Sequence, residues 1–470
     1  MDIIGVITGL SPHVAIALVL VILAAGAALP IYSLYRQKGG ALVIRKRQFL
    51  AFFLLFGWFV AVMGLTTFSR GANYGGWFNF RLFSGYVNAW NNWSLVEAQL
   101  IVFNILMFTP LGFLLPLLSR KLRRIGPALL ISLAVTLLIE LFQMLSRRGI
   151  FELDDIFHNT LGSVAGCFII TAVLSCAEKG KLLYKPVMRA LALPLLLALL
   201  FTGAAIVYHT QEFGNMPLIP AVPQNMQGVV VESATAFPGA ASPVPIYRNS
   251  RVRNLDYMRQ MAALLENSFG LRRASGVRID GFNRLIEYRD GGGAQYYYNF
   301  SLTDGSWSLN HEGDSGRELS LRETEEQSAF FEKWLAENGL LPAGAVFTLQ
   351  NGDTLRWDAP FQDGWPQADY LLGQIMLTPS ATAEIPATLW YFIAQNDFVR
   401  MAPVVSPAQA YEKVLAGRFK MYNDLQPGDR IEITACELQY VYDTKGYYLP
   451  AYYFEGTLNG EPWSCEVPGR

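Results

Sequence analysis

Six apolar runs of about 20 residues precede residue 210, and they constrain the fold more than any other feature of the chain. They lie near Val14–Tyr35, Phe49–Thr67, Leu95–Leu118, Ile125–Ser146, Ile156–Cys176 and Val187–Tyr208. Crossing a hydrocarbon core of about 30 Å takes about 20 helical residues, and lipid offers no partner for an unpaired backbone group. The runs therefore predict an α-helical membrane bundle of six transmembrane helices. No basic segment precedes the first run and no small-residue cleavage site follows it, so it reads as a retained helix rather than a signal peptide. Hydrophobic residues make up 52% of the 470 and charged residues 16%. The net charge of −1 and the lack of a basic tail exclude nucleic acid as an expected partner. No cofactor is indicated: the cysteines lack zinc-type spacing, and His13, His158, His209 and His311 are scattered.

Orientation follows from the loops. The first, third and fifth carry the basic clusters Arg36–Arg47, Arg120–Arg124 and Lys179–Arg189, whereas the long second loop, Ser69 to Ser94, has only Arg70 and Arg81. Odd loops are then cytoplasmic by the positive-inside rule. That makes a multi-pass cell-membrane protein with both termini extracytoplasmic.

Within this apolar half, Glu140 to Gly166 is densely polar. Ionisable groups at membrane depth are costly, which marks them as functional candidates. Glu140, Gln143 and Arg147 share a face at i, i+3, i+7, and Asp155, Asn159, Gly162 and Gly166 share another. Asn104 on the third span and Glu140 on the fourth reach ~13 and ~10 Å from the outer ends of their helices. The candidate binding residues are Asn104, Glu140, Gln143, Arg147, Asp154, Asp155 and Asn159. They are expected to form an outward-facing polar pocket in which Arg147 pairs with Asp154 or Asp155. Asp154 or Asp155 also suits the cap of the fifth span, Gly162 and Gly166 suit close helix approach, and Pro110 suits a kink in the third span.

These residues resemble the VanZ-like family of bacterial membrane proteins over about residues 55–176. One matching block is Asn104-Ile-Leu-Met-Phe108-Thr-Pro110-Leu-Gly112-Phe-Leu-Leu-Pro116. The other is Glu140-Leu-Phe-Gln143 with Arg147, Asp154-Asp155, Asn159, Gly162 and Gly166. A family block of Asn before Pro-Phe corresponds to Asn79-Phe80-Arg81-Leu82-Phe83, which lacks the proline. The resemblance implies a cell-envelope setting and a link to glycopeptide (teicoplanin-type) antibiotic resistance. It implies no reaction.

Residues 211–248 read as a stalk or linker. Beyond them, 249–345 and 346–470 read as two α+β extracytoplasmic units, each a helix with an antiparallel meander. The first has a helix near Leu255–Ser268 and strands Asn283–Arg289, Gln295–Ser301 and Ser306–Asn310. The second has a helix near Pro407–Arg418 and strands Arg430–Tyr442, Tyr448–Gly456 and Pro462–Val467. Gly291-Gly292-Gly293, Asp304-Gly305, Lys445-Gly446 and Asn459-Gly460 supply the turns. A helix near Glu325–Asn338 and a strand at Ala387–Ala394 lie between. This half is similar to YycH/YycI-type and PepSY-like modules, which are generally binding or regulatory. Cys436 and Cys465 lie in the last strands, and an extracytoplasmic setting would allow them to pair as a disulfide.

Three functions are compatible with these residues. The bundle binds a membrane lipid or a lipid-linked or amphiphilic envelope precursor. Alternatively, Glu140 with Asp154 or Asp155 runs acid–base chemistry on a lipid-linked phosphate or sugar. Otherwise the external half is a sensor or assembly module for an envelope or signalling protein, anchored by the bundle.

Overall fold

A computed structural model describes residues 3–69, 71–72, 78–360, 364–381, 385–421 and 423–470. Arg70 and the side chain of His13 lie outside this set. The chain divides into two compact units, one of residues 1–90 with 94–210 and one of 91–93 with 211–470.

The first unit contains α1 (Ile3–Gln37), α2 (Lys46–Met63, continued by a π-helical turn Gly64–Phe68), β1 (Phe78–Asn79), α3 (Ser84–Asn91), α4 (Leu95–Leu118), α5 (Ile125–Leu145), β2 (Phe151–Glu152), α6 (Leu153–Lys179) and α7 (Tyr184–Thr210). Six of these helices are long and apolar enough to cross a membrane. The apolar helix faces stay uncovered, as with Leu199 at 71% exposure, because lipid rather than protein is their solvent. The loop ends meet in pairs. Gln48 Nε2 donates to the Leu118 carbonyl at 2.7 Å, and Arg123 pairs with Glu178 at 2.8 Å. β1 and β2 pair in parallel, with Asn79 level with Glu152. α4 continues through Pro110, and Thr109 Oγ1 bonds back to the Ile105 carbonyl.

The second unit contains β3 (Val230–Ser233), β4 (Val244–Arg248), α8 (Leu255–Phe269), β5 (Arg272–Arg273), β6 (Arg278–Asp280), β7 (Asn283–Arg289), β8 (Gln295–Ser301), β9 (Trp307–His311) and α9 (Leu321–Glu337). It goes on with β10 (Val346–Gln350), β11 (Thr354–Asp358), β12 (Tyr370–Leu372), β13 (Gln374–Thr378), β14 (Thr388–Tyr391), β15 (Ala394–Ala402), α10 (Pro407–Leu415), β16 (Arg430–Tyr442), β17 (Tyr447–Leu458) and β18 (Glu461–Pro468). Both meanders form where the alternation and the turns place them. Asn459 and Gly460 both have positive φ, as a tight hairpin requires. Helix starts are capped: Asn254 Oδ1 accepts from the Asp256 and Tyr257 amides, and Ser320–Glu323 and Ser406–Gln409 make capping boxes.

The sheets do not divide at residue 345. The first runs β10-β11-β13-β14-β9-β8-β7-β5, with β6 also on β7, and so draws β10, β11, β13 and β14 into the unit expected to stop before them. The second runs β12-β15-β4-β17-β16-β3, with β18 on β17. The expected stalk, 211–248, is thus not a free linker: β3 lies parallel to β16, and β4 pairs with β15 and β17. The expected strand Ala387–Ala394 breaks at Phe392–Ile393, where the chain passes from one sheet to the other. Its partner breaks at Gly373, whose φ is +112° and where a Cβ would sit 2.0 Å from the Phe392 carbonyl oxygen. α8 and α9 cover one face of the first sheet, with Ala262, Leu265, Phe331 and Leu335 packed on Tyr298, Phe300 and Leu309. α10 covers part of the second, with Val414 packed among Ile431, Phe454 and Trp463.

The two late cysteines are not bonded. Cys436 and Cys465 each face Phe454, from opposite neighbouring strands. That puts two strand spacings, ~10 Å, between their Cα atoms, beyond the reach of a disulfide.

Candidate functional site

α4 and α6 approach almost backbone to backbone. A Cβ on Gly112 would fall 1.6 Å from the Ser163 carbonyl oxygen, and Cβ atoms on Gly162 and Gly166 would fall 2.0 Å from the Ile105 and Thr109 carbonyl oxygens. Only glycine permits this contact. The close approach brings Asn104 to Asp155: Asn104 Nδ2 donates to Asp155 Oδ1 at 2.5 Å.

On the other side of α6, α5 contributes a polar seam. Ser132 meets Ser163 at 2.5 Å, and Asn159 Nδ2 donates to Thr136 Oγ1 at 2.9 Å. All four are buried. The rungs step by four residues in opposite directions along two antiparallel helices. The next step in the same register brings Glu140 level with Asp155. Glu140 is 2% exposed, with Oε2 3.4 Å from the Glu152 amide, and Gln143 is buried on the turn that follows it. Asn159 is 3% exposed and its Oδ1 has no hydrogen-bond partner among the described residues. A buried amide oxygen left unsatisfied is costly, so this atom marks a place for a donor.

Asp154 has another task. Its Oδ1 accepts from the Phe83 amide at 2.5 Å, and its Oδ2 accepts from the Gly85 amide at 2.9 Å. It caps the start of α3 from across the bundle rather than α6. Asn79 joins the same turn, accepting from the Arg81 amide at 3.1 Å and donating to Ser84 Oγ at 3.2 Å. Burial and the Asp154 carboxylate together push the Tyr86 phenol up, and Tyr86 Oη lies 3.0 Å from His158 Nε2.

Arg147 stands apart. It is exposed and, among the described residues, has no ion pair with Asp154 or Asp155. The i+7 spacing from Glu140 requires helix through residue 147, but α5 ends at Leu145. Arg147 has φ +57°, and the Arg148 amide closes back onto the Gln143 carbonyl at 2.9 Å. This is a left-handed helix stop, usually built on glycine, and it turns the chain off the buried face. Arg148 instead lies near Phe68, with Cζ 6.0 Å from the ring centroid.

Of the expected set, the structure gathers Asn104, Glu140, Asp155 and Asn159 around α6, buries Gln143 on α5, commits Asp154 to the α3 turn and leaves Arg147 outside. Sequence reasoning missed Ser132, Thr136 and Ser163. Their signal was present as the four-residue steps 132-136-140 and 155-159-163, which are visible only once α5 and α6 are known to be neighbours.

In the second unit, Ser380, Asp314 and His311 come together without forming a nucleophile relay. The Ser380 hydroxyl donates to Asp314 Oδ2, the same oxygen that lies 3.3 Å from His311 Nδ1. Burial alone would raise the Asp314 pKa, but donors from Ser380, Gly316, His311 and Ala381 bring it below its ordinary value. The grouping clamps a loop.

Comparison with solved structures finds the Bacillus megaterium YpeB C-terminal domain, at 11% identity and TM-score 0.20, covering 47% of this chain and 94% of that one. It also finds an uncharacterized protein from Eubacterium rectale, at 11% identity and TM-score 0.20, covering 53% and 91%. No curated protein matches. Residues 49–174, which hold every residue of the polar seam, match the family model VanZ/LLP1, so the membrane half of this chain carries a VanZ-like segment.

Proposed function

We propose that the VanZ-like half binds a lipid-linked or amphiphilic component of the bacterial envelope at the polar seam along α6, from the extracytoplasmic side. The observation that carries this reading is the unsatisfied Asn159 Oδ1, buried within a seam that also holds Glu140, Asp155 and Asn104. A carboxylate and amide set between helices offers acceptors to a head group rich in hydroxyl, amide or ammonium donors. The basic odd loops support both termini, and the whole second unit, lying outside the cell. Sequestration of such a component is also a route by which the protein would contribute to glycopeptide resistance.

The test is native mass spectrometry of the full chain purified from its own membranes. Wild type should carry a co-purifying lipid species, and Asn159→Leu and Asp155→Asn should lose it while remaining folded, with cooperative unfolding transitions, even where loss of the Asn159–Thr136 bond lowers the midpoint. Equal lipid occupancy in all three proteins would refute the proposal. The register of Glu140 with Asp155 favours one second reading, an intramembrane acid–base site. If Glu140→Gln retains full biological activity, that reading is excluded.

A further inference from the structure

We infer a second site, in the sheet unit, for phosphate or phosphodiester groups: the cleft between β5 and the Gly291–Gly293 turn. β5 is an edge strand, and its register places Arg272 directly opposite Arg289 on β7. Residues opposite one another in an antiparallel pair put their side chains on the same face, and like charges so placed destabilise the pair. Both arginines are exposed, and among the described residues neither has an ion pair. Their neighbour Arg273 is different. It sits opposite Tyr288 on the other face, where Glu266 neutralises it at 2.6 Å. One arginine of the strand is therefore satisfied, and two guanidinium groups face each other with no ion pair among the described residues and one carboxylate, Asp290, beside them.

The cleft has a volume of about 650 Å³ and is lined by residues 272–274, including the already paired Arg273, and by residues 289–293. Asp290 is the cleft's one carboxylate, and its Oδ1 is occupied by the Gly292 and Ala294 amides at 2.9 and 2.8 Å. Nothing lies within 4 Å of a Cβ built on Gly291 or Gly293, so a ligand can approach the turn backbone freely. Two planar forks and an unobstructed turn match a tetrahedral anion with several equivalent oxygens better than a single carboxylate, which one guanidinium would saturate. The phosphate group is either that of a lipid head group or that of a soluble or polymeric phosphate.

The probe is inorganic tripolyphosphate, titrated calorimetrically into the full chain in phosphatidylcholine nanodiscs at low salt. Saturable binding is expected, weakened about tenfold or more by Arg272→Ala with Arg289→Ala. Arg322→Ala, which removes an exposed arginine elsewhere in the unit, should leave it unchanged. Thermal unfolding in phosphate-free buffer separates binding from folding, because removing one of two facing like charges should hold or raise the midpoint. Arg289→Gln serves the same purpose if the double variant is poorly folded. Repeating the titration in nanodiscs containing phosphatidylglycerol identifies the source: weaker tripolyphosphate binding assigns the site to lipid head groups, and unchanged binding assigns it to soluble phosphate. No saturable binding by wild type, or equal binding by the double variant, overturns the site.

Discussion

The membrane half and the sheet half pack by opposite means. Where α4 meets α6, side chains are removed: three glycines let backbones touch, and the interior carries Ser132, Thr136, Asn159 and Glu140. In the sheets, side chains are enlarged. Trp307 stacks on Tyr391 with centroids 5.1 Å apart, and Tyr288, Tyr296, Tyr298 and Phe300 are all fully buried. The difference follows from the solvent. Lipid gives apolar side chains no reason to leave it, so close contact and interhelical hydrogen bonds must join the helices. Water expels aromatic surface, so buried bulk packs the faces of the hydrogen-bonded sheets. Polar groups between the helices therefore carry structural weight, and each needs a partner.

The contrast can be broken experimentally, and the largest effect should come from the sheets. Phe300→Ala should cost about 3–5 kcal/mol in denaturant unfolding, while Leu199→Ala on the lipid-facing side of α7 should cost almost nothing. Comparable losses would mean that bulk matters equally in both halves. Next, Gly112→Ala should lower stability by about 1–3 kcal/mol in thermal unfolding, because a carbonyl rather than a flexible side chain blocks the new methyl group. Gly203→Ala, with open space around it, is the control. A smaller loss, about 1–2 kcal/mol, is expected for Asn104→Leu, which removes the donor to Asp155.

Titration should mark the sheet half more gently. Glu323 closes the capping box of α9, and donors from the Ser320 hydroxyl and amide and from Arg317 hold its pKa at about 2. A folded pKa below the ordinary 4.5 adds stability above pH 4.5 that is lost as pH falls toward 2. Glu323→Gln should flatten the unfolding midpoint across that window. The smallest effect is none: a reducing agent should not move the midpoint, since Cys436 and Cys465 are separated by Phe454.

Local patterns carried much of this fold. Apolar run length located the six spans, and period-two alternation with glycine turns located β7 to β9 and β16 to β18. Periodicity alone put Asp155, Asn159, Gly162 and Gly166 on one face of α6, which divides its contacts between α4 and α5. What escaped depends on partners remote in sequence. β3 pairs with β16 across about two hundred residues, and no local pattern in 230–233 announces it. The second duty of Asp154 depends on a turn some seventy residues away. Arg147 was misplaced because a helix stop without glycine looks like continuing helix.

The pairing of β3 and β4 has a practical side. A fragment begun at residue 249, where globular composition sets in, would strip the second sheet of two strands and lay bare the edge of β15 and the first residues of β16. Bared flanks of that kind recruit other chains. Anyone severing the water-facing half for crystallisation should cut at Gln211, at the end of the last span, because Met216 and Leu218 already lie in its core.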